Sequence, residues 1–248
     1  MTSLLRAEAR KALTTRSLLL LAGVVVVYPA LSLLPALTAS EAPDVDGGTL
    51  LQILRGGADV LAIAALLLGI LAVAGEYRHG TVVPTLLAAP RRERFVAVKL
   101  TSQAALGVAL GVGVCVVGLL AGGSYLTGRD VSLDLLSADV VATVAAVILV
   151  GALYATIGAA VGALVRNQTA AVAGALLWVF AIENAVPLVL RQPGLKRWLP
   201  GGAADRLLHL ADPLAGTGSA WVALAMLAGV TAALAFAAAV FTRTADIH

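Results

Sequence analysis

Few residues in this chain have the types and spacing that catalysis or metal binding requires. The 248 residues include one cysteine, Cys115, and three histidines, which form neither an HExxH motif nor a Cys/His cluster. The sequence also has no GxxxxGK[ST] phosphate-binding loop and no GxSxG nucleophile elbow. We therefore predict that the chain is not itself an enzyme and that it holds no cofactor or structural metal.

Two adjacent polar residues, Glu183 and Asn184, stand out because they interrupt an apolar stretch. If that stretch spans a membrane as a helix, they lie about 24 Å beyond Asn167, in the outer third of the bilayer. A carboxylate at that depth needs water or a partner. Two interpretations stay open: a structural ion pair with Arg55 or Arg191, or a group that faces substrate at an outer gate.

The composition indicates the elements that must position these residues. Hydrophobic residues make up 60% of the chain and charged residues 12%, and the mean hydropathy is +0.97. A soluble domain of this size could not bury so much apolar surface, so a soluble enzyme is excluded. The net charge of +3 would suggest nucleic acid in a soluble protein, but here the basic residues sort by membrane side, and we expect the bilayer and no nucleic acid as partner.

Six apolar stretches are each close to the length that crosses the hydrocarbon core as a helix. The sequence predicts an all-α integral membrane protein with one transmembrane domain. The expected spans cover about 17–37, 58–75, 100–125, 139–165, 168–190 and 217–241. Glycines four residues apart predict close helix packing at Gly107/Gly111, Gly118/Gly122 and Gly158/Gly162.

The basic residues predict the orientation of these spans. With the N-terminus in the cytoplasm, eleven of the seventeen Lys and Arg residues fall on the cytoplasmic side. We therefore expect a multi-pass protein of the cell membrane with both termini in the cytoplasm. Residues 1–16 are either an interfacial amphipathic helix or a basic leader that only fixes the topology.

The segment 76–99, between the second and third spans, is the most informative stretch. Gly80 and Thr81 can turn the chain and cap a short helix, which Pro90 would end. The result is a short helix lying across the cytoplasmic surface. The basic residues that follow either anchor to anionic lipid or belong to a docking surface for a cytosolic partner.

The sequence here resembles the membrane subunits of type-2 ABC exporters, the ABC-2 permease family. The resemblance rests on Glu76-Tyr77-Arg78-His79-Gly80-Thr81, on residues 85–92, and on Ala97-Val98-Lys99. It extends to the stretch 158–166, to Glu183-Asn184 with Pro187, and to Trp198-Leu199-Pro200. It covers nearly the whole chain, and its first motif is the most specific.

The resemblance implies a six-helix permease that works with a second permease, the same chain or a paralogue, and two separate ATP-binding subunits that bind the ATP. It makes 76–99 a cytoplasmic coupling segment around a coupling helix, and 191–216 an external segment with short helices before the last span. It also favours an outer-gate position for Glu183 and Asn184. The expected coupling residues are Glu76, Arg78, Gly80, Thr81, Leu86, Leu87, Arg91 and Arg92.

Three functions compete at this point. The first is the permease of an ATP-driven exporter, in which closure of the ATPase pushes the 81–89 helix. The second is an ion- or proton-coupled secondary transporter that uses Glu183 as its titrating group, which leaves the motif at 76–99 unexplained. The third is an intramembrane lipid enzyme or protease, which needs several polar catalytic residues together, and only Glu183 and Asn184 approach that.

Overall fold

The computed structural model describes residues 16–38, 46, 48–78, 92–209 and 220–244. These residues form helices and turns, without strands. The helices are α1 (Arg16–Leu31), α2 (Leu34–Thr38), α3 (Gly48–Arg78), α4 (Arg92–Thr127), α5 (Ala138–Val165), α6 (Gln168–Leu177), α7 (Glu183–Val189), α8 (Pro200–Leu208) and α9 (Ala220–Thr244). A π-helical turn, Trp178–Ile182, joins α6 to α7, and a 3-10 helix, Pro193–Trp198, precedes α8.

Six stretches are long and apolar enough to cross a membrane, which confirms the predicted fold class of an all-α, multi-pass membrane protein. They are Leu19–Leu37, Gly48–Arg78, Val96–Thr127, Ala138–Val165, Gln168–Val189 and Ala220–Thr242. We call Gln168–Val189 the fifth span. The end of the bundle where α3 stops and α4 starts is the α3–α4 end, and the opposite one is the α4–α5 end.

Two helices extend beyond the spans expected from the sequence. α3 begins at Gly48 rather than near residue 58, and α4 begins at Arg92 rather than near residue 100. Arg55 would be expected to end the apolar stretch of the second span, but it lies inside α3. Its side chain donates a hydrogen bond to a backbone carbonyl of α8, which stabilises the charge there. The predicted coupling helix at 81–89 and nearly all of the 1–16 segment lie outside the described residues.

The centre of the bundle is the contact between α3 and α5, with α4 packed against both. Glycines permit these close approaches. A Cβ on Gly69 would lie 2.7 Å from the backbone nitrogen of Ala159, and one on Gly107 would lie 2.6 Å from the carbonyl carbon of Gly151. Gly158 likewise meets the backbone of α3 at Leu66. Backbones in contact maximise the van der Waals packing that holds helices together in lipid.

The three predicted glycine pairs all pack within the chain. Gly107 and Gly111 face α5, and Gly158 faces α3. Gly162 also lies against α3, with Ile70 and Ala74 as its neighbours. The third pair, Gly118 and Gly122, receives the side chains of Leu50, Ile53 and Leu54 from α3.

Candidate functional site

At the α3–α4 end, Glu76 is buried within the bundle. Its carboxylate accepts a hydrogen bond from Lys99 Nζ of α4 at 2.5 Å, and each side chain is only 3% exposed. A buried ion pair requires such close geometry to offset the desolvation of both charges. The pair joins the last turn of α3 to α4 just beyond the segment 79–91.

The two residues that follow Glu76 contact two further spans. Tyr77 stacks with Arg166, whose guanidinium carbon lies 5.5 Å from the ring centroid, and the same guanidinium lies 4.7 Å from the Phe241 ring of α9. Arg78 donates to the side-chain oxygen of Gln168, at the start of the fifth span, at 3.5 Å. Three consecutive residues therefore tie the end of α3 to the rest of the bundle.

Arg166 occupies a special backbone position in this cluster. It ends α5 in the left-handed conformation, with φ of 53°, and its N–H donates to the Gly162 carbonyl. The next residue, Asn167, caps the fifth span by accepting from the Ala170 N–H at 3.0 Å. This tight turn places the Arg166 side chain between Tyr77 and Phe241.

The structure gives the predicted coupling residues different environments. Glu76 is buried and Arg78 is exposed. Arg92 is the first residue of α4, and its backbone alone is described. The others, Gly80, Thr81, Leu86, Leu87 and Arg91, lie outside the described residues.

At the other end of the bundle, Glu183 is held by a hydrogen bond from a backbone N–H group. Its Oε1 accepts from the backbone N–H of Gly201 at 2.6 Å, and its side chain is 6% exposed. Gly201 leaves room for the carboxylate, because a Cβ there would lie 3.0 Å from the Glu183 carboxyl carbon.

The expected ion pair of Glu183 with Arg55 or Arg191 does not occur in the described part of the chain. Arg55 Nε instead donates to the carbonyl of Leu208, the last residue of α8, at 3.0 Å. Arg191 is an exposed residue in the left-handed conformation, with φ of 52°, just after the fifth span. The hydrogen-bond partner of the acid in the described residues is the backbone N–H of Gly201 rather than an arginine.

The side chain of Asn184 hydrogen-bonds to the backbone of the π-helical turn. Its Nδ2 donates to the carbonyl of Phe180 at 3.2 Å and to that of Val179 at 3.5 Å. A π turn leaves carbonyls out of the regular α-helical pattern, and this amide satisfies them. Asn184 is exposed on the fifth span, while Glu183 beside it is buried.

Glu183 also lines a cavity of about 480 Å³ inside the membrane-spanning bundle. We call it the Glu183 cavity. Its wall comes from α3, α5, the fifth span, the start of α8, and α9, and it is almost entirely apolar. Tyr154 of α5 and Trp178 supply its aromatic groups. A large apolar cavity with a few fixed polar groups is the usual form of a small-molecule site.

The partners of several residues in these sites carry no signal in the sequence. Lys99 and Arg55 each find partners more than 20 positions away, at Glu76 and Leu208, and no spacing rule connects such pairs. The glycine that accommodates Glu183, Gly201, follows a proline and reads as a helix break. Its position after Pro200 at the start of a short helix is the one available signal.

Comparison with known proteins adds no relative. No family model matches the chain, and the search of curated proteins finds no match.

Proposed function

We propose that this chain is the membrane-spanning permease subunit of an ATP-driven ABC exporter. It would move substrate outward as a pair of permeases, the same chain or a paralogue, coupled to two ATP-binding subunits. The proposal is supported by the resemblance of residues 76–99 to the ABC-2 permeases. ATP would be bound and hydrolysed on the partner chains.

The observation that carries the proposal is the set of contacts made by Glu76, Tyr77 and Arg78. The chain leaves α3 at Arg78, passes through 79–91 and enters α4 at Arg92. Any force applied by an ATPase to 79–91 would act on two helices that the Glu76–Lys99 ion pair already joins.

The same force would reach the remaining helices through two further contacts. Tyr77 contacts Arg166, at the turn between α5 and the fifth span, and Arg166 in turn contacts Phe241 of α9. Arg78 donates a hydrogen bond to Gln168 at the start of the fifth span. Contacts of this kind let a local displacement move packed helices as rigid elements.

In the proposed orientation, the α3–α4 end and both termini face the cytoplasm of a cell membrane. The basic residues Arg78, Arg91, Arg92 and Arg94 then lie on the cytoplasmic side, as the positive-inside rule favours. Glu183 then lies at the outer end of its cavity, about 9 Å from the end of the fifth span at Val189, and Val161 and Gly174 line the same cavity nearer the cytoplasmic end.

A second candidate function is an ion- or proton-coupled secondary transporter. A specific observation favours it, because Glu183 is a buried carboxylate on a cavity within the membrane-spanning bundle. In that case Glu183 would bind and release the coupling ion, and no ATPase would be needed.

Co-purification of an ATPase separates the two candidates. The chain would be produced together with a candidate ATP-binding subunit, extracted in mild detergent and tested for bound ATPase and for ATP hydrolysis. Changing Leu86 and Leu87 together to Asp should abolish the association, because two charges would be buried against the partner. Changing Leu135 and Leu136, an exposed leucine pair at the opposite end, to Asp is the matched control and should leave it intact.

Two results would contradict the proposal. If no ATPase binds the unmodified chain and transport follows an ion gradient, the secondary transporter is correct. If the Leu86/Leu87 variant retains a full complement of ATPase and transports normally, the coupling helix lies elsewhere in the chain.

A further inference from the structure

The Glu183 cavity combines a large apolar wall with one acidic side chain. Among the residues that line it, Glu183 is the one charged group, and the other walls are aliphatic or aromatic. Its volume of about 480 Å³ falls within the range of sites for drug-sized molecules. The cavity therefore suits a ligand that is mostly apolar.

A backbone N–H and the first turn of a helix lie beside the Glu183 carboxyl group. The Gly201 N–H donates to it, and Gly201 lies in the first turn of α8, where backbone dipoles favour negative charge. In the described residues no Lys or Arg forms an ion pair with it, and Lys196 acts on it only from a longer distance. A carboxylate has about four acceptor positions, and the Gly201 N–H takes one of them.

Two aromatic residues line the same cavity as the carboxylate. Trp178, in the π-helical turn that precedes Glu183, and Tyr154, on α5, both line it. The faces of aromatic rings attract organic cations, more strongly in a site from which water is excluded. A carboxylate with two aromatic neighbours in an apolar wall therefore favours a positively charged ligand over a neutral or negative one.

The cavity opens on the side of the bundle, between the fifth span and α9. Gly174 and Ala233 both line it and are both exposed on the surface of the chain. In a single chain this surface faces the hydrocarbon of the bilayer. A ligand that enters there must partition into lipid before it reaches the acid.

We propose that the Glu183 cavity binds lipophilic organic cations, with the apolar body of the ligand in the cavity and its positive charge beside Glu183. The inference rests on the proposed transport function, for which it names the substrate class. The binding itself requires the membrane chain alone.

The test uses two probes of the same shape and opposite charge. Tetraphenylphosphonium is a lipophilic cation, and tetraphenylborate is its anionic counterpart. The purified full-length chain would be placed in nanodiscs of zwitterionic phosphatidylcholine, and saturable binding would be measured by equilibrium dialysis against empty nanodiscs. We expect saturable binding of the cation at least about tenfold tighter than that of the anion, because charge is the main difference between the probes.

Three variants identify the site. Glu183→Gln keeps an oxygen that can accept from the Gly201 N–H, so it should preserve the fold while weakening cation binding by about tenfold or more. Ala233→Phe fills the cavity without touching the acid and should abolish binding. Ala232→Phe is the matched control, since Ala232 is exposed on α9 but does not line the cavity, and it should bind normally.

Equal binding of both probes, absence of saturable cation binding, or unchanged affinity in Glu183→Gln would overturn the inference. If Glu183→Gln does not fold, the comparison of Ala233→Phe with Ala232→Phe decides the question. These outcomes are separate from the test of the transporter class. ATPase association without cation binding refutes the ligand class alone, whereas cation binding without any ATPase refutes the exporter and leaves the site.

Discussion

Arg55 and Glu183 hold opposite ends of the same short helix. Glu183 accepts from the Gly201 N–H in the first turn of α8, and Arg55 donates to the carbonyl of Leu208 at its last residue. The two side chains come from different spans, α3 and the fifth span. Each charge has the sign that the helix dipole favours at its end. The arrangement fixes α8 inside the bundle rather than on its surface.

Loss of Arg55 should release the C-terminal end of α8. In Arg55→Ala the Leu208 carbonyl loses a charged donor, a bond worth about 1.5–3 kcal/mol. We expect faster amide hydrogen exchange over residues 203–208 and little change in α5. Arg206→Ala is the control, because Arg206 lies on α8 itself and bonds to the Arg197 carbonyl instead. Equal exchange in both variants would show that Arg55 does not hold α8.

Replacement of Glu183 should separate its structural role from the role that we propose for it in transport. Glu183→Gln retains an acceptor for the Gly201 N–H, and Glu183→Ala removes it. We expect the Gln variant to assemble normally but to transport poorly, and the Ala variant to lose thermal stability as well. Size-exclusion chromatography after heating and transport in vesicles would measure the two effects. Normal transport by Glu183→Gln would make the residue purely structural.

The close contact of α3 with α5 should not tolerate a methyl group at Gly69. Gly69→Ala would place its Cβ 2.7 Å from the Ala159 nitrogen, so the two helices must separate. We expect a large loss of folded protein in detergent. Gly75→Ala, on the same helix with open space around it, should be neutral or slightly stabilising, since Ala favours helix by up to about 1 kcal/mol. Similar yields of the two variants would contradict this packing.

The Glu76–Lys99 ion pair should behave as a coupled unit. Glu76→Met leaves the buried ammonium without this carboxylate, at a cost of about 3–5 kcal/mol. The double variant Glu76→Met/Lys99→Met removes both charges and should recover most of the loss in thermal stability. Additive losses in the double variant would show that the two side chains act independently.

Residues Arg78 and Leu136 should label from opposite sides of the membrane. Both are exposed, and they lie at the α3–α4 and α4–α5 ends of the bundle. In a Cys115-free background, an impermeant maleimide should label Leu136→Cys in intact cells and Arg78→Cys only after permeabilisation. The reverse pattern would invert the proposed orientation, and labelling of both in intact cells would contradict the span assignment.

The spans could be predicted because apolar length alone determines which helices cross a bilayer. The ends of the helices could not be predicted from the sequence. Charged residues such as Arg55 and Lys99 lie inside helices because each has a hydrogen-bond partner on another helix. Glu183 and Asn184 are recognisable in the sequence because they are polar residues in an apolar stretch. Their separate tasks, one binding α8 and the other the π turn, depend on contacts that the sequence does not display.

The cavity could not be predicted, because it is a space left between helices rather than a pattern of residues. The short helix after Pro200 was expected as part of an external segment. In the structure its residues Ala203, Ala204, Leu207 and Leu208 are buried in the main core of the bundle. These residues are apolar, as buried residues usually are. Every span has a similar composition, so this feature did not distinguish the short helix in the sequence.

The π turn at Trp178–Ile182 determines which residues of the fifth span share a side. In a regular α-helix, residues five apart differ by about 140° around the axis. The wider turn, in which the Glu183 N–H bonds to the Trp178 carbonyl, brings those two residues together at the cavity. Winding this single turn into α-helix would rotate Glu183 away from Trp178 without breaking the span. The π turn is therefore what sets Glu183 and Trp178 on the same side of the fifth span.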